Sequence, residues 1–227
     1  MRTPIILTIS SLACLTITYG FVKALNINFD DHGHQDAVDS EFKAAWAAGK
    51  KDEESRVKLA WLCCETNRAA DARKIFAELH AVRNGESAYS REYSYDFVRM
   101  AQVEIMDTKF DEAVRLYQAK LAYDQRFLPA NAPEIASDRN NIATAQALLA
   151  QTKANDKPQS EAILSKADAE LHAAAGGAKD AAHDLMIKQT ALVIAQERGD
   201  GAAIRAARRD VEAARARMKI AVPIVQF

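Results

Sequence analysis

Asn67-Arg68-Ala69-Ala70-Asp71-Ala72-Arg73-Lys74-Ile75-Phe76 decides how this chain folds, because the pattern returns as Thr108-Lys109-Phe110-Asp111-Glu112-Ala113-Val114-Arg115-Leu116-Tyr117. Both copies run from a polar turn through an acidic residue to a small alanine, Ala72 or Ala113, with an aromatic four positions on, Phe76 or Tyr117. Residues four apart share a helix face. The alanine lets a neighbouring helix come close, and the ring one turn later fills the space beside it. The copies lie 41 residues apart, Ala72 to Ala113, which is room for two helices and a long connection. A repeat of that period points to stacked helix pairs, each burying its apolar face on the next. Such an array offers a surface that holds other molecules rather than a pocket that transforms them.

Outward from these copies the apolar spacing stays helical. Val57, Ala60, Trp61 and Cys64 mark one helix, and Ala72, Ile75, Phe76 and Leu79 mark its partner across Thr66-Asn67-Arg68. Phe42, Ala45 and Trp46 mark a short leading helix before them, ending at Gly49. After the polar connection Arg83-Asn84-Gly85-Glu86-Ser87, the spacing predicts helices over 93–106 and 110–127, with Pro129 and Pro133 closing the second. A third pair is predicted over 136–149 and 160–174, broken at Lys153 to Pro158, and Gly176-Gly177 separates it from a fourth. That fourth pair covers 180–198 and 202–219 and turns at Gly199-Asp200-Gly201. Residues 220–227 form an apolar carboxy-terminal tail around Pro223, expected to fold back on the last helix.

The first 25 residues read as an address or an anchor. Ile5 to Val22 carries no charge over about 18 residues, the lower limit for a membrane-spanning helix, between Arg2 and Lys23. The run exceeds a typical secretory core of about 7–15 residues, so an uncleaved signal anchor is the first reading. A signal peptide cleaved after Thr18-Tyr19-Gly20 is the second, and acylation at Cys14 of Ser11-Leu12-Ala13-Cys14 is the third. All three place the helical body on the outer side of a membrane, most simply a bacterial inner membrane, or free beyond it after cleavage. Residues 26–39 are polar and acidic and read as a linker; His32 and His34 among its aspartates are read as solvated rather than as metal ligands.

Composition excludes several classes. Thirty basic residues against 31 acidic ones leave a net charge of −1, so no global field draws nucleic acid. Cys63 and Cys64 are adjacent and read as small packing residues, because side chains about a hundred degrees apart on a helix make poor disulfide geometry. His80, His172 and His183 are scattered on helices with no nucleophile motif beside them, which speaks against an enzyme and against any cofactor. The last helix carries Arg205, Arg208, Arg209, Arg215 and Arg217, the polar outer face that a terminal repeat needs.

Phe110 to Tyr117, followed by Leu121, Asp124 to Leu128, Ala132 to Ala136 and Arg139-Asn140-Asn141-Ile142-Ala143, resembles the tetratricopeptide repeat of the kinesin-light-chain type over about residues 67–149. The chain departs from that pattern at three places. Glu104 stands where the family has a tyrosine, Asn67 and Thr108 where it has a helix-ending glycine, and Lys166 where an aromatic would follow Ala162. The resemblance implies an all-α fold: a right-handed α-solenoid of about four antiparallel helix pairs over residues 40–219, after the amino-terminal hydrophobic helix. It also implies a scaffold whose ligand is a protein or peptide lying along the first helices of the pairs. Carried over by position, that concave face holds Trp61, Val98, Gln102, Ile105, Asn140 and Thr144. Asn140 is the leading candidate, since an amide both donates to and accepts from a peptide backbone, and Trp61 offers an apolar anchor. Self-assembly through exposed array ends, and a metal-dependent enzyme, are the competing readings. The sequence names neither the partner nor the number of subunits.

Overall fold

A computed structural model describes residues 40, 44, 53–66, 68–83, 85, 87–177 and 180–221. Among them the chain forms eight helices and no strand: α1 (Glu53–Glu65), α2 (Ala69–Val82), α3 (Arg91–Met106), α4 (Phe110–Phe127), α5 (Pro133–Thr152), α6 (Lys157–Ala175), α7 (Ala181–Arg198) and α8 (Gly201–Ala221). The described residues are all-α, and the eight helices fall close to where the apolar spacing predicts them. The amino-terminal apolar run, the acidic linker, Phe42, Ala45 and Trp46 of the expected leading helix and residues 222–227 lie outside the described residues. The boundary expected at Lys219 moves, because α8 continues through Ile220 to Ala221. Among the described residues no helix is long and apolar enough to cross a membrane.

The contacts divide the chain into two compact units, Met1–Leu79 with Gln102–Lys109, and His80–Ala101 with Phe110–Phe227. The single repeat body expected over 40–219 is thus two units, with α2 and α3 each running from one into the other. In the first unit Trp61 meets Phe76 edge to face at 5.3 Å, and Ala72 and Phe76 are fully buried. Cys63 and Cys64 are free and buried, and burial pushes the Cys63 thiol up to about 11.

Two departures from the repeat pattern acquire a physical reason in this unit. Glu104 is buried, and Arg73 from α2 meets its carboxylate with two bonds, Nε at 2.6 Å and Nη2 at 2.9 Å. An ion pair of fork geometry thus replaces a ring. Burial works against the Glu104 contact at Arg73 less than the pairing favours it, so the guanidinium lies above its ordinary range, with Asp107 adding to the effect. At the end of α3, Lys109 N donates to Glu104 O (2.8 Å) and Thr108 N to Ile105 O (3.0 Å), the paired bonds of a Schellman cap. Thr108 sits at its left-handed position, φ 58°, where a β-branched residue is strained by about 1–2 kcal/mol. Thr108→Gly is therefore expected to raise stability by about 0.5–1 kcal/mol in urea unfolding; a loss would remove the strain account.

The second unit is built around α5, which packs against α4, α6 and α7, while α7 also packs on α6 and α8. Ala143, Ala147 and Ala150 of α5 share one core with Leu164, Ala167, Leu171 and Ala174 of α6 and Ile187 and Ile194 of α7. The alanines let the helices approach, and the leucines fill the gaps. Ala113 and Tyr117 are buried in this unit, as Ala72 and Phe76 are in the first. The corresponding pair on α6 is Ala167 and Leu171, whereas Ala162 and Lys166 are exposed. The absent aromatic is thus a matter of register: the buried small-then-large pair on α6 lies five residues beyond Ala162 and Lys166. Aspartates start the later helices. Asp156 accepts from Gln159 N (3.1 Å), Asp180 from Ala182 N and His183 N (2.9 Å each), and Asp200 from Ala202 N (2.9 Å) and Ala203 N (3.1 Å).

Candidate functional site

Five of the six residues assigned to the concave face are buried. Asn140 and Gln102 are each 2 % exposed, and Thr144, Ile105 and Val98 lie between 5 % and 7 %; Trp61 is half-buried against Phe76. Trp61, Gln102 and Ile105 belong to the first unit, and Val98, Asn140 and Thr144 to the second. In this arrangement the five serve as packing and hydrogen-bonding positions and present no open surface to a ligand. The reason on α5 is angular. Asp138 faces α4 through Lys120, Arg139 faces α6 through Glu170, and Asn140 faces α7 through Thr190. One position further round, Asn141 is half-buried, and Glu134, two turns back on that side, is exposed.

What the predicted residues do form is a polar seam between α5 and α7. Thr190 Oγ1 donates to Asn140 Oδ1 (2.9 Å) and lies 3.0 Å from Thr144 Oγ1. Along the same seam His183 Nε2 lies 3.0 Å from Ser137 Oγ, and Gln151 Nε2 donates to Glu197 Oε1 at 2.7 Å. Ser137 to His183, Thr144 to Thr190 and Gln151 to Glu197 are each pairs 46 residues apart, and they recur at seven-residue steps. Two helices that touch at constant offset every two turns run parallel and in register. Thr190→Val keeps the shape but leaves the Asn140 oxygen without its donor, an expected cost of about 1–3 kcal/mol in thermal or urea unfolding. An unchanged midpoint would show that the seam carries no energy.

Two buried ionic groups escaped sequence reading, although the signal was there as charges inside an apolar stripe. Lys120, one turn after Tyr117, donates to Asp124 (2.7 Å) and to Asp138, while Ser94 Oγ donates to the other Asp124 oxygen at 2.6 Å. Burial pushes the Asp138 carboxyl up to about 7 against the pull of Lys120. For Lys120 burial works against the charge, but Asp138 and Asp124 outweigh it and hold the ammonium above the usual lysine range. Asp96, fully buried, is bound by Arg83 and by Arg99, the latter at 2.8 Å. Burial would raise its carboxyl, yet His80 and the two guanidiniums hold it below the usual range. His80 Nδ1 stands 3.8 Å from Asp96, an ion-pair distance too long for a hydrogen bond. Its ring stacks on Tyr93 at 4.0 Å. Asp138 Oδ2, Asp96 Oδ2 and His80 Nδ1 are buried without a hydrogen-bond partner, but each group is held by its own charged partners, so both read as interior fasteners.

No protein-family model, curated protein or solved structure matches this chain. The functional reading therefore rests on the molecule's own residues.

Proposed function

We propose that this protein is a helical-repeat scaffold of the tetratricopeptide type that holds a segment of another protein. It would be tethered to, or exported across, a membrane by its first 25 residues. One observation carries the reading: in the second unit, successive helix pairs are joined through their first helices, α5 to α7, in a constant 46-residue register. Translation of one pair onto the next is the defining feature of a stacked array. The right-handed solenoid belongs to the same proposal.

The docking face passes from the buried positions to their accessible neighbours, with Asn141 and Glu134 on α5 in place of Asn140. A side-chain amide at the surface binds a peptide backbone without reading its side chains. No catalytic step or cofactor enters the scaffold role. The apolar run from Ile5 to Val22 supplies the membrane link, which mass spectrometry of the mature amino terminus tests directly.

The docking face is tested with a photo-crosslinking residue placed in the full chain, in native membranes, at Asn141 or at the exposed Lys166 of α6. The expected result is one defined adduct from position 141 and none from 166. An adduct from 166 alone, or equal adducts from both, would overturn the assignment of the face.

A further inference from the structure

The seam between α5 and α7 brings together three residues whose chemistry goes beyond packing. His183 Nδ1 lies 2.7 Å from Asp180 Oδ2, and its Nε2 lies 3.0 Å from Ser137 Oγ. They come from two places in the chain: Ser137 from the first turns of α5, and Asp180 and His183 from the cap and first turn of α7. An ionised carboxylate only accepts hydrogen bonds, so the proton shared with Asp180 belongs to Nδ1 of the imidazole. In the neutral imidazole Nε2 then presents a lone pair, and the hydrogen bond to it is donated by the Ser137 hydroxyl. Acid, base and nucleophile stand in the order and at the distances of a serine–histidine–aspartate relay.

The surroundings hold this order in place. Asp180 Oδ1 accepts Ala182 N and His183 N at 2.9 Å each, which leaves Oδ2 for the imidazole. The backbone bond from His183, against a smaller cost of burial and with the imidazole itself, keeps the Asp180 carboxyl below the usual range. The His183 side chain is 21 % exposed and Ser137 is half-buried, so neither is sealed in the core. Gly177 lies against α5 one residue before the serine, where an added Cβ would stand 3.0 Å from that of Ala136.

We infer that Ser137, His183 and Asp180 form a hydrolytic centre for short acyl esters. As Ser137 Oγ attacks the acyl carbon, its proton passes to His183 Nε2. The bond to the alcohol oxygen breaks, and the alcohol leaves with that proton. Water then adds to the acyl-serine, giving one proton to Nε2; Ser137 takes it back as the carboxylic acid departs. The net reaction joins one water to one ester and yields one acid and one alcohol. Asp180 occupies the N–H groups of Ala182 and His183, so those donors are not offered to the oxyanion. The acceleration is that of base-assisted attack, roughly 10²–10⁴-fold, and the substrate class is esters whose leaving group needs little help, such as phenyl acetates.

The test treats the full chain with a fluorophosphonate probe, maps the labelled peptide, and follows p-nitrophenyl acetate hydrolysis beside it. The expected result is an adduct on Ser137, with hydrolysis lost in Ser137→Ala. His183→Gln retains a polar contact but no base, and Asp180→Asn retains the helix cap while reversing the imidazole tautomer. Each should label and hydrolyse at least about tenfold more slowly with helical circular dichroism unchanged. An unmodified Ser137 beside a labelled serine hydrolase in the same tube would overturn the inference. So would labelling at equal rate in His183→Gln, which would make Ser137 an accessible hydroxyl and no more.

Discussion

Lys120→Ala is expected to lower stability by about 3–5 kcal/mol, the cost of breaking a buried ion group from one side. The side chains of Lys120, Asp124 and Asp138 are 9 %, 0 % and 1 % exposed. Removing the ammonium leaves two carboxylates facing each other in a dry interior, with only the Ser94 hydroxyl to share. That loss is a large part of the about 5–15 kcal/mol by which proteins of this kind are stable. It should shrink on acidification, since Asp138 then takes up a proton and the surviving charge falls to one. Urea unfolding at pH 5 and pH 8 checks both statements. A loss below about 1 kcal/mol at both would show that the three residues are not coupled in the folded protein.

The same carboxyl sets a pH profile for the unaltered protein. Asp138 loses its proton at about 7 when folded and near 3.8 when its surroundings are removed. Between those values the folded state binds a proton that the unfolded state has released. Its contribution is therefore fully present below about pH 4 and is lost as pH rises through about 7. Asp96 acts in the opposite sense: its contribution is present above its ordinary pKa and is lost as pH falls through the depressed one. The melting temperature should accordingly peak between about pH 4 and pH 6 and decline towards pH 8, and Asp138→Asn should flatten the decline.

Tyr123→Ala is the second large effect, at about 3–5 kcal/mol for truncating a buried aromatic. Tyr123 of α4 is the hub of the ring cluster in the second unit. Its centroid lies 4.9 Å from Tyr93, 5.1 Å from Phe127, 5.9 Å from Tyr89 and 6.5 Å from Phe97. Ser90 N donates to its hydroxyl at 2.8 Å, which ties the segment before α3 to α4. Tyr123→Phe keeps the rings and loses only the hydroxyl's bonds, that one and a longer one donated to Ala88 O at 3.4 Å, an expected cost of about 1 kcal/mol. The difference between the two substitutions in thermal unfolding isolates the packing share. Equal losses would assign the stabilisation to the hydrogen bond and remove the hub.

The helices were legible because their signals are local. The Ala72–Phe76 and Ala113–Tyr117 pairs, the prolines after Phe127 and the Gly199-Asp200-Gly201 turn each act within a few residues, and the observed elements begin and end beside them. The candidate docking residues were less legible. A helix buried on one side shows an apolar stripe, but α5 is packed on three sides by α4, α6 and α7, so polar and apolar positions alike are buried along it. No periodicity then separates Asn140, inside the seam, from Asn141 at the surface. The buried stripe of α6 was misplaced for a related reason: several small-then-large spacings fit its sequence, and only packing shows that Ala167 and Leu171, not Ala162 and Lys166, face the core.

From residue order alone came the all-α class, the eight described helices and their turns, since hydrogen bonding within a helix and the stops that end it depend on neighbours in the chain. Tertiary structure decided which polar groups meet: Lys120 with Asp138, Arg73 with Glu104, and Ser137 with His183. Contacts between residues 18 to 46 positions apart depend on how each helix is rotated about its own axis. That rotation is set by the volumes of the side chains packed around it, which no single segment of the sequence contains.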